Sequence, residues 1–168
     1  MRKVILAVAV SLDSLIEGPN GEYDWCFTDQ DYGMTDFFKR IDAIFFGRKS
    51  YEVLLRTDTN PYPNKAKYVF SKTLKSVGEN TILIRENIEQ EVKTIKQQHG
   101  KDIWLFGGAS TTASLLRAQL VDEMMLAVHP ILLGKGKPLF SDTGKRITWR
   151  LVEAKTYSTG LVQLMYRL

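Results

Sequence analysis

Three short segments, each following an apolar stretch of the chain, combine residue types that suit phosphate binding. They are Gly47-Arg48-Lys49-Ser50, Phe70-Ser71-Lys72-Thr73 and Gly107-Gly108-Ala109-Ser110. Glycines let the backbone approach a phosphate closely, and a helix beginning just after them offers free N–H groups and the positive end of its dipole. Taken singly, each segment fits a solvated basic loop or a plain turn better than a binding site.

The predicted order of elements brings these segments together. Apolar runs predict strands at residues 3–12, 41–46, 67–70, 81–84, 103–106 and 123–133, and a closing hairpin around Ser158-Thr159-Gly160. Helices are predicted from Thr28 to about Arg40 and at residues 50–55, 87–98 and 110–120. This alternation predicts an α/β fold with a mostly parallel sheet and an antiparallel C-terminal hairpin. Ligands of such sheets bind at the carboxyl ends of the strands, where all three segments lie.

A ligand with several phosphates fits three such segments better than a simple metabolite. The cations Arg48, Lys49 and Lys72 favour an additional 2′-phosphate, and therefore NADPH over NADH. The expected cofactor-binding residues are Gly47, Arg48, Lys49, Ser50, Ser71, Lys72, Gly107, Gly108, Ala109 and Ser110.

Composition and charge narrow the class of protein. The 168 residues suit one domain spanning residues 1–168, and a net charge of +4 without a basic stripe argues against nucleic-acid binding. No apolar run is long enough to span a membrane. Cys26 is the one cysteine, which excludes an internal disulfide and fits a cytoplasmic location. With His99 and His129 as the only histidines, no metal site is expected, and both histidines are interpreted as structural.

Five motifs in order resemble the dihydrofolate reductase superfamily. They are residues 9–16 (AVSLDSLI), 46–52 (FGRKSYE), 105–110 (LFGGAS), 120–123 (LVDE) and 129–140 (HPILLGKGKPLF). The last motif is most similar to the reductase domain, C-terminal in the bacterial bifunctional riboflavin biosynthesis deaminase-reductase. The resemblance covers the whole chain. It implies a three-layer α/β/α fold with an eight-stranded sheet, NADPH, often a homodimer, and a cis peptide bond between Gly107 and Gly108.

The activity implied by this resemblance is NADPH-dependent reduction of a C=N or C=O bond. The substrate would be a pyrimidine, a pterin or a related small molecule, and in riboflavin-type enzymes it is a ribosylamino-pyrimidine phosphate. Two alternatives stay open: a dihydrofolate reductase with a substitute acid, and a nucleotide-binding module without catalysis. The zinc signature of the deaminase domain is absent from the sequence, which favours a lone reductase-like domain.

The chain departs from the superfamily where the substrate is expected. Met34 stands at the position of the acid that classical dihydrofolate reductases use on the pterin, and a methionine cannot relay a proton. Asp31 and Asp36 are near in sequence but are expected on other faces of the helix. Riboflavin-type reductases usually have Asp-Gly near the end of the first strand, where this chain has Asp13-Ser14. These departures argue against dihydrofolate as the natural substrate.

The sequence offers few candidates for residues that contact the substrate. Asp13 is the candidate catalytic group, as a substrate-orienting carboxylate, or else it caps its own loop. Trp25 and Met34 are expected to line the substrate pocket, although Trp25 could simply fill the core. Lys135 and Lys137 could bind a substrate phosphate, but we favour the interpretation that they are exposed residues of a glycine-rich loop.

Overall fold

The computed structural model describes residues 1–57, 60–140 and 143–168. The strands are β1 (Val4–Val10), β2 (Leu15–Glu17), β3 (Ile41–Gly47), β4 (Ala66–Phe70), β5 (Thr81–Ile84), β6 (Asp102–Gly107), β7 (Glu123–Val128), β8 (Lys137–Pro138), β9 (Arg150–Thr156) and β10 (Val162–Arg167). The helices are α1 (Met34–Arg40), α2 (Arg48–Leu54), α3 (Ile88–Gln97) and α4 (Ala109–Arg117). Within these residues no helix has the length and apolar character needed to cross a lipid bilayer.

Eight strands form one sheet in the order β5-β4-β3-β6-β1-β7-β10-β9. The strands from β5 to β7 pair in parallel, while β10 runs antiparallel to both β7 and β9. β1 lies inside the sheet, where Ile5 is opposite Trp104 of β6 on one side and Glu123 of β7 on the other. Its uninterrupted apolar run suits this position, because a parallel strand is covered on both faces. The predicted mostly parallel α/β sheet with an antiparallel C-terminal hairpin is confirmed.

Helices cover both faces of the sheet and make the fold three-layered. On one face α3 buries Val92 and Ile95 against a core that includes Leu6 of β1. On the other face α1 buries Phe37, and the core there includes Ile5. Neighbouring residues of a strand point to opposite faces of the sheet. Ile5 and Leu6 therefore pack into different cores, one on each face.

Ion pairs hold the amino ends of the central strands. Glu123, buried at the start of β7, accepts hydrogen bonds from Lys3 at 2.8 Å and Arg167 at 3.1 Å, and pairs with Arg40 at 2.7 Å. Burial alone would raise the pKa of Glu123, but the hydrogen bonds from Lys3 and Arg40 outweigh it and hold that pKa below its ordinary value. The charge of Glu123 at the amino ends of the strands is therefore paired within the protein. A ligand is expected at the opposite edge of the sheet, at the carboxyl ends.

The predicted elements differ from the structure in three places. The first helix begins at Met34 and not at Thr28, because Tyr32 and Gly33 adopt left-handed backbone angles that a helix cannot continue through. β7 ends at Val128, two residues before Pro130, which lacks an N–H for the sheet. The short strands β2 and β8 pair with each other outside the main sheet and were not predicted, since two or three residues show no periodicity.

Candidate functional site

The three predicted phosphate-binding segments meet in one cavity of about 380 Å³, which we call the basic cavity. They meet because β4, β3 and β6 are consecutive in the sheet and each segment follows the carboxyl end of one of these strands. The wall of the basic cavity contains Gly47, Arg48, Lys49, Phe70, Ser71, Lys72, Thr73, Gly108, Ala109, Ser110, Thr111 and Lys137. Two of the predicted cofactor residues, Ser50 and Gly107, line the adjoining cavity instead.

The contact between the β3 and β6 loops requires glycine. A Cβ on Gly47 would lie 2.6 Å from Thr111 Oγ1 and 3.4 Å from both Gly107 O and Gly108 N. Gly107 has a φ of 116°, which other residues rarely adopt. The Gly107–Gly108 peptide bond is cis, as the resemblance implied. Backbone atoms therefore form the floor of the basic cavity, close enough to contact a ligand directly.

The cations of the basic cavity are not equally available. Arg48 Nη1 donates to Glu52 Oε1 at 2.7 Å, one helical turn further along α2. Lys49 and Lys72 have no carboxylate partner within residues 1–57, 60–140 and 143–168. These two lysines carry the free positive charge, whereas the charge of Arg48 is shared with Glu52.

A second cavity, of about 310 Å³, opens beside the first, and we call it the central cavity. Its walls are mainly apolar and include Leu6, Val8, Val53, Leu54, Phe106 and Leu139. Gly108 and Ala109 line the basic and central cavities alike, so one elongated ligand can extend from one cavity into the other.

Thr112 of α4 is a buried polar residue on the mainly apolar wall of the central cavity. The residue is 1% exposed, and its Oγ1 has no hydrogen-bond partner in the part of the chain that the structure describes. A buried hydroxyl without a partner costs stability, and a bound ligand would supply the partner. Sequence reasoning missed Thr112. Its spacing of four from Gly108 was the available signal, because that spacing directs a helical side chain back toward the preceding loop.

A third cavity, of about 430 Å³, lies against α1, and we call it the aromatic cavity. Its walls include Phe27, Tyr32, Met34, Trp104, Met125 and His129. It shares Val8, Ala9 and Cys26 with the central cavity, so the two meet near the carboxyl end of β1. Burial, with a smaller effect from the charge of Asp24, raises the pKa of Cys26 to about 11. The thiol between the two cavities is therefore protonated at neutral pH.

Met34 lines the aromatic cavity, and so does one acid that was expected elsewhere. Because the helix begins only at Met34, Asp31 lies in the preceding turn and reaches the cavity wall. Its carboxylate accepts hydrogen bonds from the backbone N–H of Thr35 at 2.8 Å and the Thr35 hydroxyl at 2.9 Å, which lowers the pKa of Asp31. The placement of Asp31 on another face is thus corrected, while Asp36 is exposed and does not line the cavity.

Asp13 and Trp25 are not brought to the walls of these three cavities. The Asp13 carboxylate accepts hydrogen bonds from the Ser11 hydroxyl at 2.6 Å and from the N–H groups of Gly134 at 2.8 Å and Leu133 at 3.2 Å. These bonds, with Ser11 the strongest contributor, lower the pKa of Asp13. Asp13 therefore joins its own loop, through Ser11, to the distant loop at Leu133 and Gly134, which is neither of the two roles considered for it. Trp25 packs edge-on against a histidine of the aromatic cavity.

That histidine, His129, is neutral and fully engaged. Its Nε2 accepts from the backbone N–H of Phe27 at 3.1 Å, so Nδ1 carries the proton and donates to Ala127 O at 3.0 Å. Burial lowers the pKa of His129. Both ring nitrogens are occupied in joining the end of β7 to the loop before α1, and the residue serves as a structural wall.

Comparison with known proteins identifies relatives over nearly the whole chain. The model of the RibD C-terminal domain matches residues 2–163. The uncharacterized protein YyaP of Bacillus subtilis (strain 168) is 44% identical over 177 aligned positions, covering 98% of this chain and 94% of YyaP. A putative dihydrofolate reductase of Caenorhabditis elegans is 29% identical, covering 75% of this chain and 71% of that protein. The crystal structure of a putative riboflavin biosynthesis protein from Shewanella sp. PV-4 has a TM-score of 0.87 and 25% identity, covering 99% and 98% of the two chains.

The neutral His129 predicts an acid-sensitive component of stability. Because its pKa is lower in the folded chain than the ordinary value near 6.5, the stabilisation is complete above that pH and is lost as the pH falls through the folded pKa. Melting temperatures between pH 8 and pH 5 should therefore fall less steeply for His129→Gln than for the wild type. The exposed His99→Gln serves as the control and should keep the wild-type slope. Equal slopes for all three proteins would refute this role of His129.

Proposed function

This chain belongs to the RibD C-terminal domain family, and from that premise we propose that it is an NADPH-dependent reductase of the riboflavin-biosynthesis type. Its substrate would be a pyrimidine, a pterin or a related small molecule containing a C=N or C=O bond. The observation that carries the proposal is the meeting of three phosphate-suited loops in a basic cavity that continues into an apolar one.

The residues present fit NADPH. The glycine floor admits a diphosphate to the start of α4, and the buried Thr112 hydroxyl, which has no partner among the described residues, belongs to a residue on the wall of the central cavity. Ser71 Oγ accepts hydrogen bonds from the N–H groups of Thr73 and Leu74, so its own proton stays available for an anion. When bound, NADPH supplies the hydride for the reduction.

Each part of the site has a separate task in this proposal. The N–H groups at Gly108, Ala109 and Ser110 hold the diphosphate. Arg48, Lys49 and Lys72 hold the 2′-phosphate, and Ser71 adds a hydroxyl donor beside them. The apolar walls of the central cavity exclude water from the nicotinamide, with Ser50 and Gly107 at its rim. The aromatic cavity orients the substrate on the other side of Val8 and Ala9.

The proton that accompanies the hydride is assigned to solvent water. Cys26, with a pKa of about 11, is too weak an acid to donate at neutral pH. Asp31 has a lowered pKa and is ionised there, so it has no proton to give. Asp13 is engaged in its loop and lies away from the cavity walls. The chain's contribution is therefore positioning and exclusion of bulk water, with no side-chain acid at the reacting atoms.

A second candidate is dihydrofolate reduction with Asp31 as the substitute acid. It is favoured by the position of Asp31 on the aromatic cavity and by the relative named as a putative dihydrofolate reductase. Against it stands Met34, which occupies the position of the usual acid on the first helix. The lowered pKa of Asp31 further disfavours the protonated carboxyl that would be needed.

We also propose that the protein forms a homodimer, which the resemblance alone suggests, and that it is located in the cytoplasm. Light scattering during size-exclusion chromatography measures the oligomeric state directly.

The proposed 2′-phosphate site predicts tighter binding of NADPH than of NADH. Replacing Lys72 by Ala removes one charge-assisted contact and should weaken NADPH binding by about 1.5–3 kcal/mol while leaving NADH unchanged. Isothermal titration of both dinucleotides provides the measurement. The control is Lys75→Ala, an exposed lysine of the same loop outside the basic cavity, which should behave as the wild type. Equal wild-type affinities for NADPH and NADH would exclude the site.

The Thr112 hydroxyl predicts opposite effects on stability and binding. Thr112→Val removes an unpartnered buried hydroxyl and should raise the unfolding free energy of the ligand-free protein by about 1 kcal/mol. The same substitution should reduce the thermal stabilisation that NADPH provides, and Thr112→Ser should restore it. Thr94→Val is a matched control, because that hydroxyl donates to Gln90 O on the exposed side of α3. A Thr112→Val protein stabilised by NADPH as fully as the wild type would contradict this assignment.

Dihydrofolate should be a poor substrate of the unmodified protein, since Met34 cannot replace the missing acid. Steady-state NADPH oxidation with dihydrofolate measures this, and Met34→Asp should raise the weak rate. If dihydrofolate is turned over efficiently and Asp31→Asn abolishes that turnover, the second candidate function is correct instead.

A further inference from the structure

The cations of this chain are distributed unevenly among the cavities. All 23 lysines and arginines lie within the described residues, because residues 58, 59, 141 and 142 are Asp, Thr, Ser and Asp. None of these cations lines the aromatic or the central cavity. Those near the site, Arg48, Lys49, Lys72 and Lys137, all line the basic cavity.

The charged groups that do reach the other two cavities are carboxylates. Asp31 lies on the wall of the aromatic cavity and Glu17 on that of the central cavity. Lys137 pairs with Glu17 at 3.2 Å. An anionic group placed in the aromatic cavity would therefore meet the exposed carboxylate of Asp31 at the wall and would find no counterion there. An unpaired charge surrounded by apolar side chains is strongly disfavoured.

Three side-chain nitrogens on the wall of the aromatic cavity already donate within the protein. Trp104 Nε1 donates to Ala7 O at 2.9 Å. His129 Nδ1 donates to Ala127 O, and Gln163 Nε2 donates to Tyr32 O at 3.1 Å. A phosphate or carboxylate needs several donors or a cation, and apart from the uncharged Thr28, Gln30 and Gln163 this wall presents aromatic, aliphatic and sulfur-containing surface.

From this wall we infer that the substrate of this chain is a flat, uncharged heterocyclic carbonyl or imine that carries no phosphate or carboxylate. The inference rests on the proposed function, because it concerns the substrate side of the same site. It separates this chain from a reductase that acts on a ribosylamino-pyrimidine phosphate. A volume of about 430 Å³ lies within the range of cavities that bind small organic ligands.

Matched pairs of ligands that differ only in an anionic group test the inference. The pairs are 5-amino-6-ribosylaminouracil with and without its 5′-phosphate, pterin with pterin-6-carboxylate, and quinoxaline-2-carboxamide with quinoxaline-2-carboxylate. Isothermal titration of the purified protein, with and without saturating NADPH, should give dissociation constants at least tenfold lower for the neutral members. Equal or tighter binding of the anionic members would overturn the inference. Failure of every neutral member to bind at millimolar concentration would overturn it too.

Two variants that each remove a carboxylate test whether the preference for neutral ligands arises in the aromatic cavity. Asp31→Asn keeps an oxygen to accept from Thr35 but removes the charge, so the preference for neutral ligands should shrink about threefold. Asp36→Asn removes an exposed carboxylate of α1 that lies outside the cavity, and the preference should stay at the wild-type ratio. An unchanged ratio in Asp31→Asn would place the binding elsewhere and overturn the inference.

The same titrations distinguish this inference from the proposed function. If NADPH does not bind, the proposed reductase fails, while the neutral preference is still measured without NADPH. If NADPH binds but anionic ligands bind as tightly as neutral ones, the reductase stands and the inference about its substrate fails.

Discussion

The close approach of two loops, backbone against backbone, organises the site of this protein. β3 and β6 are neighbours in the sheet, and a Cβ at position 47 would collide with Thr111 Oγ1 at 2.6 Å while just touching the Gly107–Gly108 peptide at 3.4 Å. This approach brings the start of α2 beside the start of α4. It thereby gives the basic cavity a floor of backbone atoms, and it leaves no side chain to separate that cavity from the central one. This contact also positions the cations and hydroxyls that line the basic cavity.

The pairing of charged side chains differs between the amino ends and the carboxyl ends of the strands. At the amino ends, buried or half-buried charges such as Glu123, Asp102 and Asp122 are matched by cations of neighbouring elements. At the carboxyl ends, Lys49 and Lys72 stay without a carboxylate partner among the described residues. The aromatic cavity adds a third environment with a carboxylate at its wall and no cation. One sheet thus presents a basic cavity and an apolar cavity side by side, which fits the proposed reaction between a phosphorylated cofactor and an uncharged substrate.

Much of this architecture could be predicted from local sequence. Apolar runs located the strands of the main sheet, and the chemistry of residues just after them located the three loops of the basic cavity. The substrate side was harder, because it depends on a few backbone angles and on distant partners. The left-handed Tyr32 and Gly33 delay α1 and turn Asp31 toward the aromatic cavity. Asp13 is engaged by Leu133 and Gly134, about 120 positions away, and no local pattern carries that information.

The segment Val8-Ala9, together with Cys26, walls the central and aromatic cavities at once. If the proposed cofactor and substrate occupy these cavities, both would contact the same segment, and we expect their affinities to be linked. Linkage is reciprocal: whatever factor one ligand applies to the affinity of the other is returned in full. Such coupling would need no second subunit and no moving domain.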